Sequence, residues 1–520
     1  MKRWLIGIAV VFLLVGYGLV YDSAITKSKK QYFDRYQQQE KFELSIVEVL
    51  PSSANGGSYI GRGAGESFSI LVEVPPGQIL SLGDRVSVEG HLSSLPKYIR
   101  PSYEKLRHLV GMIVPRSLQV IGHSSGVYWT LVRFRQVFLE RLEGLLHYNV
   151  AALLGGVLVG DTSLLTVEVK DSFRVSGLSH VMAISGANMT LLMQCVFSLL
   201  RFLPKRLKLL VTALVLVGFT MFVGASAAVV RAGIMTMINL CALALEQFYV
   251  AMRALYVVVL VVFFYSPYIV IYDIGFQLSC VATLGMIVCS RPLSLLLSRV
   301  PWNIVKETLS TTVAATIMTL PITLFYFHTW YPLGVVVNFL LVPLFTVVTF
   351  LGYGILFCSY VPFLGVIFTS LVDRALLWLL AVIQWGGDLS SMVVISSAWD
   401  LTLVLSYYAF LAFVYDKLSR SLEKLPQGCA FWSSAIGSGF YTFYYFLLGW
   451  KGFMFLCLCK TNSIFVKSPN YSSVAPRVGG ITSRPTNGRR VRWRVLMGLN
   501  IASWLLMLSL LPKKVWGLIW

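Results

Sequence analysis

Charged residues fill only 13% of the 520 positions, about half the share that a soluble domain carries. That shortage excludes a solvated globular surface over most of the chain. No G-x-x-x-x-G-K-[ST] loop occurs, so the phosphate cradle of a P-loop ATPase is excluded. The six His are scattered, and even the nearest two, His108 and His123, are too far apart for a paired-histidine metal motif. No metal, cofactor or catalytic residue is therefore expected. Cysteine is missing before Cys195, and the eight that follow, ending at Cys459, fall mostly in apolar runs, so neither a disulfide framework nor a zinc site is implied. The glycine-rich run Gly61 to Gly65 (GRGAG) lies between predicted strands and precedes no helix, which makes it a turn.

What the chain does have is apolar length. Apolar residues make up 57% of it, and after residue 176 they recur in runs long enough to cross about 30 Å of hydrocarbon. Nine spans are drawn at 178–200, 209–226, 228–247, 252–266, 268–289, 308–328, 333–358, 361–385 and 399–415. Two further apolar runs, 431–458 and 495–511, flank a loop rich in Ser, Gly, Pro and Arg. Near the start, Trp4 to Tyr21 follows Lys2 and Arg3. The absence of a small-x-small cleavage site favours an uncleaved anchor over a signal peptide.

Between the anchor and the core the pattern changes to short alternating runs: FELSIVEV, ESFSILVEV, GDRVSVEGHL and GMIVPRSLQVI, with a helical interruption at Tyr103 to Leu109. Such a set fits a small Greek-key barrel of the OB type. Tyr128 to His147 then places Leu131, Phe134, Phe138, Leu142 and Leu145 near helical spacing, as an interfacial helix or one packed on the barrel would. The expected fold is an α-helical polytopic membrane protein with an inserted small OB-like β-barrel, and with about nine to eleven spans beyond the N-terminal anchor. Its expected domains are the anchor (1–22), an extracytoplasmic barrel (40–123), the amphipathic helix (128–147), the transmembrane core (150–425) and a C-terminal region (426–520).

The net charge of +20 suits a polyanionic partner, although basic loops also arise from membrane topology alone. Arg201, Lys205, Arg206 and Lys208 follow the first core span, and Lys417, Arg420 and Lys424 follow the ninth. Both clusters should be cytoplasmic. The even number of spans between them agrees with that, and it puts the barrel outside.

Several polar residues stand out in apolar surroundings. His180, Ser185, Gly186 and Asn188 crowd the segment GLSHVMAISGAN, which reads either as a broken, pore-lining helix or as small-residue helix packing. Arg231 lies between two apolar runs with no acid nearby in sequence, so it either faces an internal path or snorkels from a span end. Asp273, four residues before Gln277, is a candidate counter-charge. Pro321, His328, Asn338 and Pro343 punctuate two adjacent spans. In the barrel, Lys97, Arg100, Lys105 and Arg107 interleave with Tyr98 and Tyr103, a pattern that holds single strands by stacking and phosphate attraction, though a solvated loop beside a membrane looks similar. Arg477 to Arg494 carries six arginines, for which lipid attraction is the default and nucleic acid the alternative.

From about Lys41 to about residue 425 these motifs resemble, in order, the ComEC family of bacterial competence proteins. The barrel with GDRVSVEGHL, then LLGGVLVGD, GLSHVMAISGAN, VVRAGIM, GFQLSCVATLG and the series Pro321, Asn338, Pro343 carry the resemblance. It implies a multi-pass channel of the bacterial inner membrane that imports single-stranded DNA during transformation. His180, Ser185, Gly186, Asn188, Arg231, Asp273, Gln277 and Asn338 would then line the path. It also implies a cytoplasmic helicase-type ATPase as the motor and a DNA receptor as a further partner.

Two departures stand against the family pattern. Asn188 replaces a His found in many relatives. The metallo-β-lactamase-like domain that often follows has no histidine motif here, so the channel is expected without the nuclease. Rival classes are an intramembrane hydrolase using Ser185, with Ala183 where such enzymes prefer Gly, and a transporter of another polymer or of a small solute.

Overall fold

The computed structural model describes residues 2–423 except 51–56, 64, 76–77, 79, 97–98, 163, 183–185 and 359–361. The expected C-terminal region 426–520, together with Lys97, Tyr98 and Ser185, lies outside the described residues. The chain opens with one continuous helix, α1 (Lys2–Tyr36). No Gly or Pro follows Gly18 within it, so the helix runs on past the apolar stretch into a polar half. Tyr32, with Ile25, Phe33 and Tyr36, then packs that half onto the sheet that comes next.

That sheet holds β1 (Lys41–Val49), β2 (Gly57–Arg62), β3 (Ser69–Val74), β4 (Asp84–Glu89), β5 (Leu92–Ser93), β6 (Leu109–Ile113) and β7 (Ser117–His123), with α2 (Pro101–Arg107) inserted before β6. Alternation sets its faces: Phe42, Leu44 and Ile46 are buried while Lys41 and Glu43 are exposed. The order is β5-β6-β3-β2-β1-β4-β7, antiparallel throughout except for the parallel pair β3–β6. Two details depart from the expected strands. β2 had no counterpart among them, and GMIVPRSLQVI is two strands because Pro115 has no N–H for the ladder. The ladder runs from β5 at one end to β7 at the other, so the described residues show a small sheet domain where a closed barrel was expected.

Helices make up most of the rest: α3 (Val127–Leu145), α4 (Tyr148–Val159), α5 (Val167–Val175), α6 (Ser179–Met182), α7 (Gly186–Leu199), α8 (Lys205–Phe222), α9 (Ala227–Ala244), α10 (Ala251–Tyr265), α11 (Pro267–Tyr272), α12 (Ile274–Leu296), α13 (Asn303–Phe327), α14 (Gly334–Cys358), α15 (Pro362–Ser391) and α16 (Leu401–Glu423), with the short strands β8 (Thr329–Trp330) and β9 (Ile395–Ser396) paired antiparallel between them. Among the described residues four are long and apolar enough to cross a bilayer: α9, α12, α13 and Ile367–Ser391 of α15. A fifth is added if the halves Gly334–Val342 and Val347–Ile355 of α14, bent by 49°, form one span. Pro343 lies in that interval, where a missing N–H frees the helix to bend.

The expected spans are thus only partly matched. The 268–289 run is divided between α11 and α12 at Asp273, which caps α12 by accepting from the Phe276 N–H at 2.8 Å. Of the 178–200 run, the described residues hold α6 and α7 on either side of 183–185. The stretches 251–265 and 401–415 are helices of shorter apolar length.

Besides α7, α8 and α9, which meet through Met189, Leu216 and Ala232, two packing units stand out among the described residues. α4 is buried all round from Val150 to Val159, at the centre of a cluster with Leu142 of α3, Phe173 of α5, Phe345 of α14 and Ile383 of α15. α3 turns Val132, Phe138, Leu139 and Leu142 inward, and its Arg135 pairs with Asp161 at 2.9 Å. The second unit is α12 against α13. A methyl group on Gly285 would lie 2.7 Å from the Ala314 carbonyl oxygen, so only glycine permits that approach.

Candidate functional site

Arg231 is 6% exposed, in the second turn of α9. Its Nη1 donates to Thr283 Oγ1 of α12 at 2.9 Å and reaches Met235 Sδ at 3.3 Å. Thr283 donates in turn to the Ser279 carbonyl at 2.8 Å, so its oxygen is free to accept from the arginine. Nε is buried with no hydrogen-bond partner among the described residues. Nη2 points toward α7, 3.6 Å from where a Cβ on Gly186 would sit. No acidic residue forms an ion pair with Arg231 among the described residues. Cys280 and Tyr249 are near enough to interact with its charge. A buried guanidinium held only by neutral groups is costly, because burial removes water without supplying a counter-charge.

The other expected path residues are distributed around this point. Asn188 is partly buried in the first turn of α7. His180 donates from Nδ1 to the Gly177 carbonyl at 3.1 Å. Its side chain is exposed on the short helix α6. Asp273 and Gln277 serve the break between α11 and α12. The first caps α12, and the second donates Nε2 to the carbonyls of Val270 (3.2 Å) and Ile271 (2.6 Å) that α11 leaves unpaired. Asp273 is therefore committed to a helix end, and its expected pairing with Arg231 is not among the contacts formed. Asn338, on α14, has a buried Oδ1 without a partner among the described residues. Gly186 and Arg231 are brought together; Asp273, Gln277 and Asn338 are not part of that contact.

In the sheet domain, Lys105 pairs with Asp22 of α1 at 2.7 Å and lies 5.5 Å over the ring of Tyr268 in α11. Arg107 pairs with Glu48 at 2.8 Å and sits 5.8 Å over the ring of Tyr103. Burial pushes the Glu48 carboxyl above its ordinary value, with Arg107 working against that rise. Arg100 is exposed just before α2. These cations thus differ in what they can offer a phosphate: Lys105 and Arg107 already hold carboxylates, while Arg100 faces solvent.

Sequence reasoning did not single out Thr283 or Cys280. Thr283 is 52 positions from Arg231, and nothing in local spacing connects them. It also missed Asp373 of α15, which accepts from the His147 N–H at 3.0 Å and pairs with its ring. No group of three or more His, Cys, Asp or Glu among the described residues is placed to hold a metal.

A family described as Competence protein matches residues 157–421. Among curated proteins, the chain is similar to ComE operon protein 3 of Bacillus subtilis (strain 168), with 22% identity over 385 residues. That alignment covers 73% of this chain and 49% of the relative, so the chain spans about half the length of the protein it matches. No solved structure matches.

Proposed function

Because the chain belongs to the Competence protein family, we propose that it is a multi-pass conduit of the bacterial inner membrane that takes up single-stranded DNA during transformation. The observation that carries this reading is one of position. Among the described residues, the four helices that are long and apolar enough to cross a bilayer all fall inside the matched residues 157–421. On this reading the core comprises the remaining, shorter helices as further spans, about nine in all by apolar length, with α1 as anchor and α3 at the interface. Its path runs by His180, Ser185, Gly186, Asn188, Arg231 and Asn338.

The sheet domain stands outside the cytoplasm and receives the strand through Arg100 with Lys97, Tyr98 and Tyr103. It closes as an OB-type barrel. The parallel β3–β6 pair and the succession of β4 and β5 across Gly90 and His91 favour that closure. The chain itself is a conduit and not an enzyme: a cytoplasmic helicase-type ATPase pulls the strand, and a separate receptor delivers it.

The test is uptake of labelled DNA into competent cells with and without the gene, scored as label protected from added nuclease. Loss of protected label on deletion, restored by the intact gene, is expected. Normal uptake in the deletion strain would overturn the reading and turn attention to another polymer or a small solute.

A further inference from the structure

We propose that Arg231, Thr283 and the first turn of α7 form a phosphodiester-binding site at the entrance of the conduit, holding one backbone phosphate of the passing strand. This rests on the reading of the chain as a DNA conduit. Three observations converge on the site.

The first is unmet charge. A guanidinium that is 6% exposed has neutral partners on one side, Thr283 and Met235, and no acidic partner among the described residues. The second is geometry. Nε, left without a partner among the described residues, and Nη2, directed at Gly186, form one edge of the guanidinium. That edge is a fork of parallel donors that matches two oxygens of a phosphate. The third is the element it faces. The α7 helix extends 14 residues from Gly186 and has no acidic residue in its first turn. Its dipole favours an anion at this end, and glycine at 186 puts no side chain between the helix and the arginine.

Connectivity locates the site near the entrance. α9 and α10 form a hairpin, so the start of α9 lies on the same side as the end of α10 and α11. α11 is where the sheet domain is fastened, through Tyr268 and Lys105. Arg231 therefore sits little more than a turn inside the face that carries the sheet domain. The ligand chemistry is a phosphodiester monoanion, which a phospholipid headgroup also offers. An entrance below a DNA-receiving domain favours the strand.

Cys280 lies about one turn before Thr283 on α12 and is only partly buried, which makes it a native reporter. The experiment uses the full chain with Cys280 as its single cysteine, solubilised in a phosphate-free maltoside detergent. Alkylation of Cys280 by a small maleimide is followed with a short oligothymidylate, with a peptide nucleic acid of the same sequence, or with phosphatidylglycerol vesicles. The oligothymidylate is expected to slow labelling, and the uncharged analogue and the vesicles to leave it unchanged. Arg231→Ala should weaken that protection about tenfold, the worth of a charge-assisted hydrogen bond, and Arg231→Lys should restore part of it. Protection by the uncharged analogue overturns the phosphate assignment. Protection by the vesicles reassigns the site to lipid and overturns the proposal. Unchanged labelling in a protein that demonstrably binds the oligothymidylate overturns it as well, without relying on any variant that might misfold. In cells, Arg231→Ala with normal uptake, where deletion abolishes uptake, sinks this site and leaves the conduit reading standing. Normal uptake in the deletion strain sinks that reading itself.

Discussion

His108 ends α2 in the left-handed region, at φ 51°. There its ring is partly buried, with Nδ1 lacking a partner among the described residues. Burial, helped by the positive charge of Arg62, holds its pKa below the ordinary histidine value. The folded ring therefore stays neutral at a pH where the unfolded ring already takes a proton. Stability from this residue is present above the ordinary value and is lost as pH falls through the depressed one. The melting temperature of the solubilised chain should thus drop between pH 7 and pH 5 by more than it does in His108→Asn, since Asn tolerates the left-handed backbone and does not titrate. Equal drops in the two proteins would show that His108 contributes nothing to acid sensitivity. Arg231 poses the opposite problem: it stays charged in a buried place at any such pH, so its cost is met by a partner and not by losing a proton.

At the scale of elements, α1, α2 and α11 are bound by one polar knot. Asp22 of α1 accepts from Tyr268 Oη of α11 at 2.9 Å and from Lys105 of α2 at 2.7 Å, while Tyr17 of α1 donates to the Phe264 carbonyl at 2.7 Å. The Lys105 and Asp22 side chains are only partly exposed, so their contact is shielded more than a surface ion pair would be. A double-mutant cycle of Asp22→Asn and Lys105→Met, followed by thermal unfolding, should give a coupling of about 0.5 to 2 kcal/mol. Additive effects would remove this knot as the fastening of the sheet domain. The same elements show what the sequence makes legible. Alternation in FELSIVEV and the long apolar runs identify β1 and the helices, because period and length are local properties. The division at Asp273 is also local, as a polar N-cap residue inside an apolar run, but the run around it outweighs that signal. β2 is lost because GSYIGR has glycines at both its edges and little alternation. Lys105 reads as a free cation beside tyrosines since Asp22, 83 positions away, cannot be paired with it from spacing. Arg231 is conspicuous for the same apolar context that hides Thr283, a residue ordinary in any helix.

For the molecule as a whole, the question is which side of the membrane each end faces. Arg201, Lys205, Arg206 and Lys208 lie between the end of α7 and the first turn of α8. α7 starts beside Arg231, near the sheet domain's face, and runs away from it, so this basic cluster lies at the opposite face of the helical region. Loops rich in Lys and Arg are retained in the cytoplasm. The sheet domain should then stand outside, where a strand arriving from the medium meets it before Arg231. A membrane-impermeant maleimide on spheroplasts should label a single cysteine at Ser117→Cys in β7 and leave one at Arg206→Cys unlabelled until the membrane is opened. Both positions tolerate the change: Ser117 is partly exposed in the edge strand β7, and Arg206 is exposed in the first turn of α8. The reverse pattern would place the basic cluster outside, and it would make the Arg231 site an exit and not an entrance. Arg231→Ala would then slow release of the strand into the cytoplasm, so labelled DNA would still enter the conduit but reach the cytoplasm more slowly.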